Sequence, residues 1–334
     1  LTTAIVILNW NGKAFLKAFL SPLLDSIAAT PEAKVVVADN GSTDDSVPFL
    51  REHYPQLRLI LFPQNLGYTG GYNQALAQIQ AKYFILLNSD IRVDPHWLEP
   101  LIACMESNPE AGMCMPKIRS LSQPHYFEYA GACGGFIDRL GYPFCRGRIL
   151  SHIEQDYGQY DTPMEIFWAS GACLMIRANL FHELGGFDGR FFAHQEEIDL
   201  CWRAKIKGHQ VWVIPQSTVF HVGGGSLPND SPGKLYLNYR NNLWMLYKNL
   251  PQKRRFITLF SRMLMDGLSA FFYLIQAKPA LFYAVLKAHL HFWKGRKQFQ
   301  RHTTKPVGHI WHKSIVWHFF LHRKKRTFGQ LTFL

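Results

Sequence analysis

Four short apolar runs punctuate the first 90 residues, and helical patterns lie between them. The runs are AIVILNW, AKVVVADN, LRLILF and YFILLNSD; the intervening segments include Lys13–Ala28, the stretch after NGSTDDS, and NLGYTGGYNQALAQIQ. Strand-length runs that alternate with helical periodicity predict a mainly parallel sheet with helices on both faces. In such a sheet a ligand binds beyond the carboxyl ends of the strands. Here those ends carry Asn9 and Asn11, then Asp39 and Asn40, then Asn65, then Asn88 and Asp90. Asn and Asp also end strands simply as turn formers, and for one strand that suffices. Four successive polar ends predict a shared crevice. Capping signals place Ser42 or Thr43 before the second helix, with Asp44 and Asp45 in its first turn. Pro95 is suited to the first position of the fourth helix, with Asp94 as its cap.

The middle of the chain, Ser120 to Asp161, is rich in Gly, Tyr and Pro and reads as long loops or a small meander. MEIFWASGACLMIRANLF returns to strand and then helix, EEIDLCWRAKIKG is helical with Gly208 as its stop, VWVIP is a last strand, and HVGGGS is a loop. Two regions are therefore expected: an α/β domain over 1–234 and a helical, basic and aromatic region over 235–334. The six cysteines show no CxxC or other zinc spacing and read as reduced core thiols. The opening residues lack the basic segment and cleavage site of a signal peptide.

Charge is divided along the chain. Residues 251–334 hold sixteen Lys and Arg against one acid, Asp266, which leaves the preceding body slightly acidic within a net charge of +12. A basic tail on an acidic body implies a polyanionic partner for the tail. The longest uncharged run there, Gly267 to Ala277, is eleven residues. A spanning helix needs roughly 20 apolar residues, so none is expected. Aromatics mixed with Lys and Arg instead suit helices lying on an anionic membrane surface.

ILNWNG, VVVADNGSTDDS, NLGYTGGYN, LLNSD, ASGACLMIR, GGFDGRFF, EEIDLCWR and HVGGGS occur in that order. Together, from about Thr3 to Arg240, they resemble the family 2 glycosyltransferases of GT-A fold, and among these the bacterial rhamnosyltransferase-like branch that builds surface polysaccharides. The resemblance implies inverting transfer from a nucleotide-diphospho-sugar, dTDP- or UDP-linked, to a hydroxyl of a glycan or lipid-linked acceptor. It implies Mg²⁺ or Mn²⁺ as cofactor and a place on the cytoplasmic face of the plasma membrane.

Residue by residue, the resemblance implies that Asp39 contacts the nucleoside, with Asn9 on the neighbouring strand end. Gly67, Gly70 and Gly71 open a helix whose N-terminus favours negative charge. NSD stands where the family has DxD: Asp90 maps onto the metal ligand, and Asn88 replaces the first acid with a neutral acceptor. Oxygen ligands suit Mg²⁺ and Mn²⁺, and His221 matches a histidine that completes the metal site. In HQEEIDLCWR the general base falls on Glu197, with Glu196 as the rival. Asp199 and Arg203, four apart, suit a pair along the helix. Trp168 and Gly171 match an acceptor-side segment, Trp168 as a stacking surface or as core. Arg240 follows the closing loop, as a diphosphate partner or a solvated charge.

Other classes fit less well. A dehydrogenase lacks its GxGxxG, a nucleotidyltransferase lacks a Gly-rich basic loop after the first strand, and no nucleic-acid module accompanies the basic tail. A degenerate glycan-binding or scaffold protein of the same fold remains the alternative, because Asn88 and Glu197 depart from the motif. The tail, with Trp293, Trp311, Trp317, Phe319 and Phe320, reads either as a membrane-docking region or as a helical subdomain that packs on the body or forms a homodimer.

Overall fold

The computed structural model describes residues 2–223, 231–299, 307–322 and 326–332. The N-terminal part runs β1 (Thr3–Asn9), α1 (Lys13–Ser26), β2 (Ala33–Asp39), α2 (Ser46–His53), β3 (Arg58–Leu61), α3 (Gly67–Leu76), β4 (Tyr83–Asn88), β5 (Ile91–Val93), α4 (Leu98–Ser107) and β6 (Ala111–Ser120). Short strands follow: β7 (Gly135–Asp138), β8 (Pro143–Cys145), β9 (Arg148–Ile149), β10 (His152–Ile153) and β11 (Met164–Glu165). Then come β12 (Cys173–Arg177), α5 (Ala178–Glu183), α6 (Glu196–Ile206) and β13 (Gln210–His221). The C-terminal region adds α7 (Pro232–Asn249), α8 (Gln252–Ile275), α9 (Pro279–Gly295), β14 (Ile310–Trp311) and α10 (Ile315–Leu321).

The main sheet has the order β11-β13-β6-β12-β4-β1-β2-β3, with β5 beside β13. β3, β2, β1 and β4 are parallel, whereas β12 runs antiparallel between β4 and β6. The fold is the expected α/β arrangement of GT-A type. The strands are apolar throughout because both faces are covered: Ile5, Val6, Val37, Ile85 and Leu86 are all buried. The chain winds outwards from β1 to β3 and returns to the other side of β1 with β4. This reversal opens a crevice beyond Asn9, Asp39 and Asn88.

The meander expected in the middle forms as β7–β10, closed by β14, which pairs with β7 in parallel. The tail thus returns to the body. Phe328 packs on Phe136, and the Ile315 N–H donates to Asp138 at 2.8 Å. All six cysteines are free, and five are buried.

Several local expectations are corrected. The second helix starts at Ser46 without a side-chain cap bond, because Asn11 takes the Thr43 and Asp44 N–H groups. The fourth starts at Leu98 rather than Pro95, since His96 adopts a left-handed backbone, φ 62°. β13 runs past Pro215 to His221, crossing a register shift between Ile214 and Thr218 that accommodates the proline. One helix among the described residues, α8, is long and apolar enough to cross a membrane by length and composition. Counting only uncharged residues had excluded it. Part of the HVGGGS loop, and part of the basic segments GRKQFQRHTTK and HRKKR, lie outside the described residues.

Candidate active site

At the crevice, side chains tie the strand ends together. Asn9 donates through Nδ2 to Asp39 Oδ2 at 2.9 Å and to Ser42 Oγ at 3.2 Å, and the Ser42 N–H donates to Asp39 Oδ1 at 2.9 Å. Asn40 grips the turn before α3: its Oδ1 accepts from the Leu66 N–H, and its Nδ2 donates to the Gly67 carbonyl. Asp39 is buried and fixed, so its carboxylate has a defined direction. Of the polar strand ends that the sequence singles out, those of the first two strands are thus tied together by side chains.

Two of the three glycines have structural reasons. Gly67 has φ +71°, and a Cβ there would meet the Phe192 ring at 2.5 Å. A Cβ on Gly71 would strike Leu8 Cδ1 at 2.7 Å, so this glycine lets α3 lie close to β1. Gly70 is less constrained, with Leu66 Cβ at 3.0 Å.

Asp90 lies two residues beyond β4. Pairing of β5 with the end of β13 sets His221 opposite Ile91 and brings His221 Nε2 to 3.2 Å from Asp90 Oδ1. On the other side of the ring, Nδ1 lies 3.3 Å from Glu128 Oε2, an ion-pair contact rather than an aligned hydrogen bond. All three residues are buried. Burial favours the neutral imidazole, but the two carboxylates outweigh it and raise His221 to about 10. No motif pointed to Glu128. It lies in the irregular segment between β6 and β7, and only the fold brings it to His221.

The other wall is the start of α6. Gln195 precedes it with φ 72°, which turns Glu196 and Glu197 inward in the first helical turn. Each has an Oε2 that is buried without a hydrogen-bond partner. Burial pushes the Glu197 carboxyl up to about 7. Burial and the neighbouring Glu197 push Glu196 well above the ordinary carboxylate range. Two close carboxyls in one dry site do not ionise together. Both carboxyls are pushed up, so the pair gives up its first proton well above the ordinary carboxylate range.

β12 connects the two walls. The Asn88 N–H donates to the Ala172 carbonyl at 3.0 Å, while a Cβ on the preceding Gly171 would lie 3.8 Å from Glu197 Cβ and 2.8 Å from Tyr68 Oη. Tyr68 donates to the Gly171 carbonyl at 2.7 Å. Gly171 therefore stands beside the candidate base, and Asn88 one residue further along the same edge. Tyr68, on α3, is a wall residue that sequence reading passed over as part of a glycine-rich turn.

Two expected residues have other surroundings. Trp168 is 4% exposed, and its indole N–H donates to the Phe136 carbonyl at 2.9 Å. A Cβ on Gly135 would fall 2.0 Å from its ring, so Trp168 is core and presents no free face for a sugar. Arg240 donates to the Phe191 carbonyl at 3.2 Å and lies over the Trp244 ring, which ties α7 to the loop before α6. Asp199 and Arg203 do pair, at 2.8 Å.

This arrangement can be compared with known proteins. The sequence profile described as Glycosyl transferase family 2 matches residues 4–185. N-acetylglucosaminyl-diphospho-decaprenol L-rhamnosyltransferase of Mycobacterium tuberculosis is 28% identical over 255 residues, 71% of this chain and 81% of that protein. The O-antigen biosynthesis protein RfbC of Myxococcus xanthus is 28% identical over 218 residues, covering 64% of this chain and 17% of RfbC. Among solved structures, GalNAc-T7 with UDP, GalNAc and Mn²⁺ superposes with a TM-score of 0.61 at 14% identity, over 97% of this chain and 57% of that one. S. aureus TarS 1-349 in complex with UDP-GlcNAc gives a TM-score of 0.56 at 14% identity, over 86% of this chain and 81% of that one. The profile covers more than half of the residues, and the chain belongs to glycosyl transferase family 2.

Proposed function

We propose that this protein is an inverting, metal-dependent glycosyltransferase that moves rhamnose or a hexose from a dTDP- or UDP-linked donor to a hydroxyl of a glycan or lipid-linked acceptor. The observation that carries the reading is Glu197: a carboxyl raised to about 7, with one oxygen unpartnered, on the edge shared with Asn88. Ionised, that oxygen can take the acceptor's proton as the hydroxyl attacks the anomeric carbon. Attack from the face opposite the departing diphosphate inverts the anomeric configuration. Asp39, held by Asn9 and Ser42, accepts hydrogen bonds from the nucleoside.

The residues fit a divalent ion. No group of three His, Cys, Asp or Glu among the described residues is placed to hold a metal ion, but Asp90 and His221 lie side by side, and a metal that displaced the proton from His221 Nε2 would gain one oxygen and one nitrogen. Two protein ligands suffice when substrate phosphates and water complete the sphere. Bound there, Mn²⁺ or Mg²⁺ would neutralise charge on the departing diphosphate. Glu128, beyond the far nitrogen of His221, orients the ring.

The lipid-linked acceptor rests on the name of the mycobacterial relative, a rhamnosyltransferase for a decaprenol-linked sugar. With the basic tail, it supports work at the anionic inner face of the plasma membrane. Removing Asp90 tests the donor half of the reading. In calorimetric titrations with Mn²⁺, Asp90→Ala should bind the nucleotide donor at least about tenfold more weakly than wild type. Chelator should reduce wild type to the same level. Equal affinities with and without chelator would refute the assignment.

A further inference from the structure

The helix α8 is built inside out. The residues it turns toward the body are Arg255, Thr258, Arg262, Asp266 and Ala270. Its outward residues include Phe256, Ile257, Phe260, Leu264, Leu268 and Phe271, each between 57% and 79% exposed. The centre of the buried polar face is paired. Arg262 bonds Asp266 at 2.8 Å and Asn242 at 2.6 Å, while Tyr142 and His289 also reach Asp266. Next to it, α9 keeps Tyr283, Leu286, Leu290 and Trp293 outside. Patches of this extent on soluble proteins mark an interaction surface.

The charges around the face identify its occupant. Lys253 and Arg254 stand exposed at the start of α8, Lys278 lies between α8 and α9, and Lys287 and Lys294 lie on α9. The only acid in this region, Asp266, is 1% exposed and paired inward. A broad apolar and aromatic face framed by cations, with no outward carboxylate, matches an anionic lipid surface. Insertion from the side also fits better than spanning. Drawn across a bilayer, α8 would carry Arg255, Arg262 and Asp266 into hydrocarbon and leave their partners on the body unpaired.

We infer that the outward face of α8 and α9 is a monotopic membrane-insertion surface for anionic bilayers, held by apolar burial as well as by charge. It deepens the membrane part of the proposed function and does not depend on the donor site. A second copy of the chain is the competing occupant.

The test is flotation of the full chain with phosphatidylcholine vesicles and with vesicles containing phosphatidylglycerol. Wild type should float with the anionic vesicles and remain partly bound in about 0.5 M salt, where surface charge is screened. The variant Phe260→Ser/Leu264→Ser/Leu268→Ser/Phe271→Ser changes only outward residues. Its partition should fall about tenfold or more, with melting temperature and donor binding unchanged. Variant partition equal to wild type would overturn the inference. So would complete release of wild type by salt, or sedimentation showing a lipid-free dimer that the variant dissociates while neither form floats. Donor titration without vesicles separates the two readings: flotation without donor binding leaves the surface standing and removes the transferase assignment.

Discussion

Glu197→Gln is expected to bind the nucleotide donor as wild type does and to lose transfer by about 10²–10⁴-fold, the usual contribution of a positioned general base. The amide keeps the size of the side chain and removes only the proton acceptor. Single-turnover transfer measured alongside donor titration separates these effects, and transfer at the wild-type rate would show that Glu197 is not the base. The pH profile carries the same assignment. A base must be deprotonated, so kcat/KM should rise with pH through about 7 rather than through the ordinary glutamate value of 4.5.

The linked effect on stability runs in the opposite direction. Between about pH 4.5 and 7 the folded protein holds a proton on Glu197 that the unfolded chain has lost, so this group's contribution falls as pH rises. At pH 8, Glu197→Gln should therefore be more stable than wild type, by about 1–3 kcal/mol. The difference should shrink toward pH 5.

Asp199→Ala is expected to cost about 3–5 kcal/mol of stability, because it leaves buried cations without their partner. Asp199 is fully buried two residues beyond Glu197. It accepts from Arg203 at 2.8 Å, Lys248 at 2.9 Å and Asn249 at 2.8 Å, and so fastens α6 to α7. Burial would raise its pKa, but Lys248 and Arg203 outweigh that and hold it down at about 2. Its folded value is depressed. The stabilisation is present above the ordinary aspartate range and is lost as pH falls through about 2. Urea unfolding at pH 7 reads the loss directly, and a change below about 1 kcal/mol would mean that the network is replaceable.

What was legible in the sequence is what local pattern encodes. The polar strand ends could be read because an apolar run and a turn former sit side by side, and the fold sets three of them, Asn9, Asp39 and Asn88, along one end of adjacent strands. The acids of α6 were legible as a motif. The motif does not choose between Glu196 and Glu197, and each carries one buried, unpartnered oxygen. Glu128 was not legible, because its segment has no pattern of its own, and Tyr68 was hidden in a motif read for its glycines until its bond to Gly171 placed it. Trp168 was assigned two roles, and only its contact with Gly135 decides for the core. For α8, the length of the uncharged run does not say how the charges beside it are arranged. Arg255, Arg262 and Asp266 are spaced by seven and four, so helical periodicity gathers them on one face and leaves the other apolar.

The most direct test of the account is a melting-temperature panel of dTDP-rhamnose, UDP-glucose, UDP-galactose, UDP-GlcNAc and GDP-mannose, each with Mn²⁺ or with EDTA. A ligand that binds only the folded state raises its melting temperature. A rise is expected with a dTDP- or UDP-linked sugar in Mn²⁺, abolished by EDTA and absent in Asp90→Ala. No rise with any donor, or a rise that EDTA leaves unchanged, would contradict a site in which Asp90 and His221 hold a metal on the donor diphosphate.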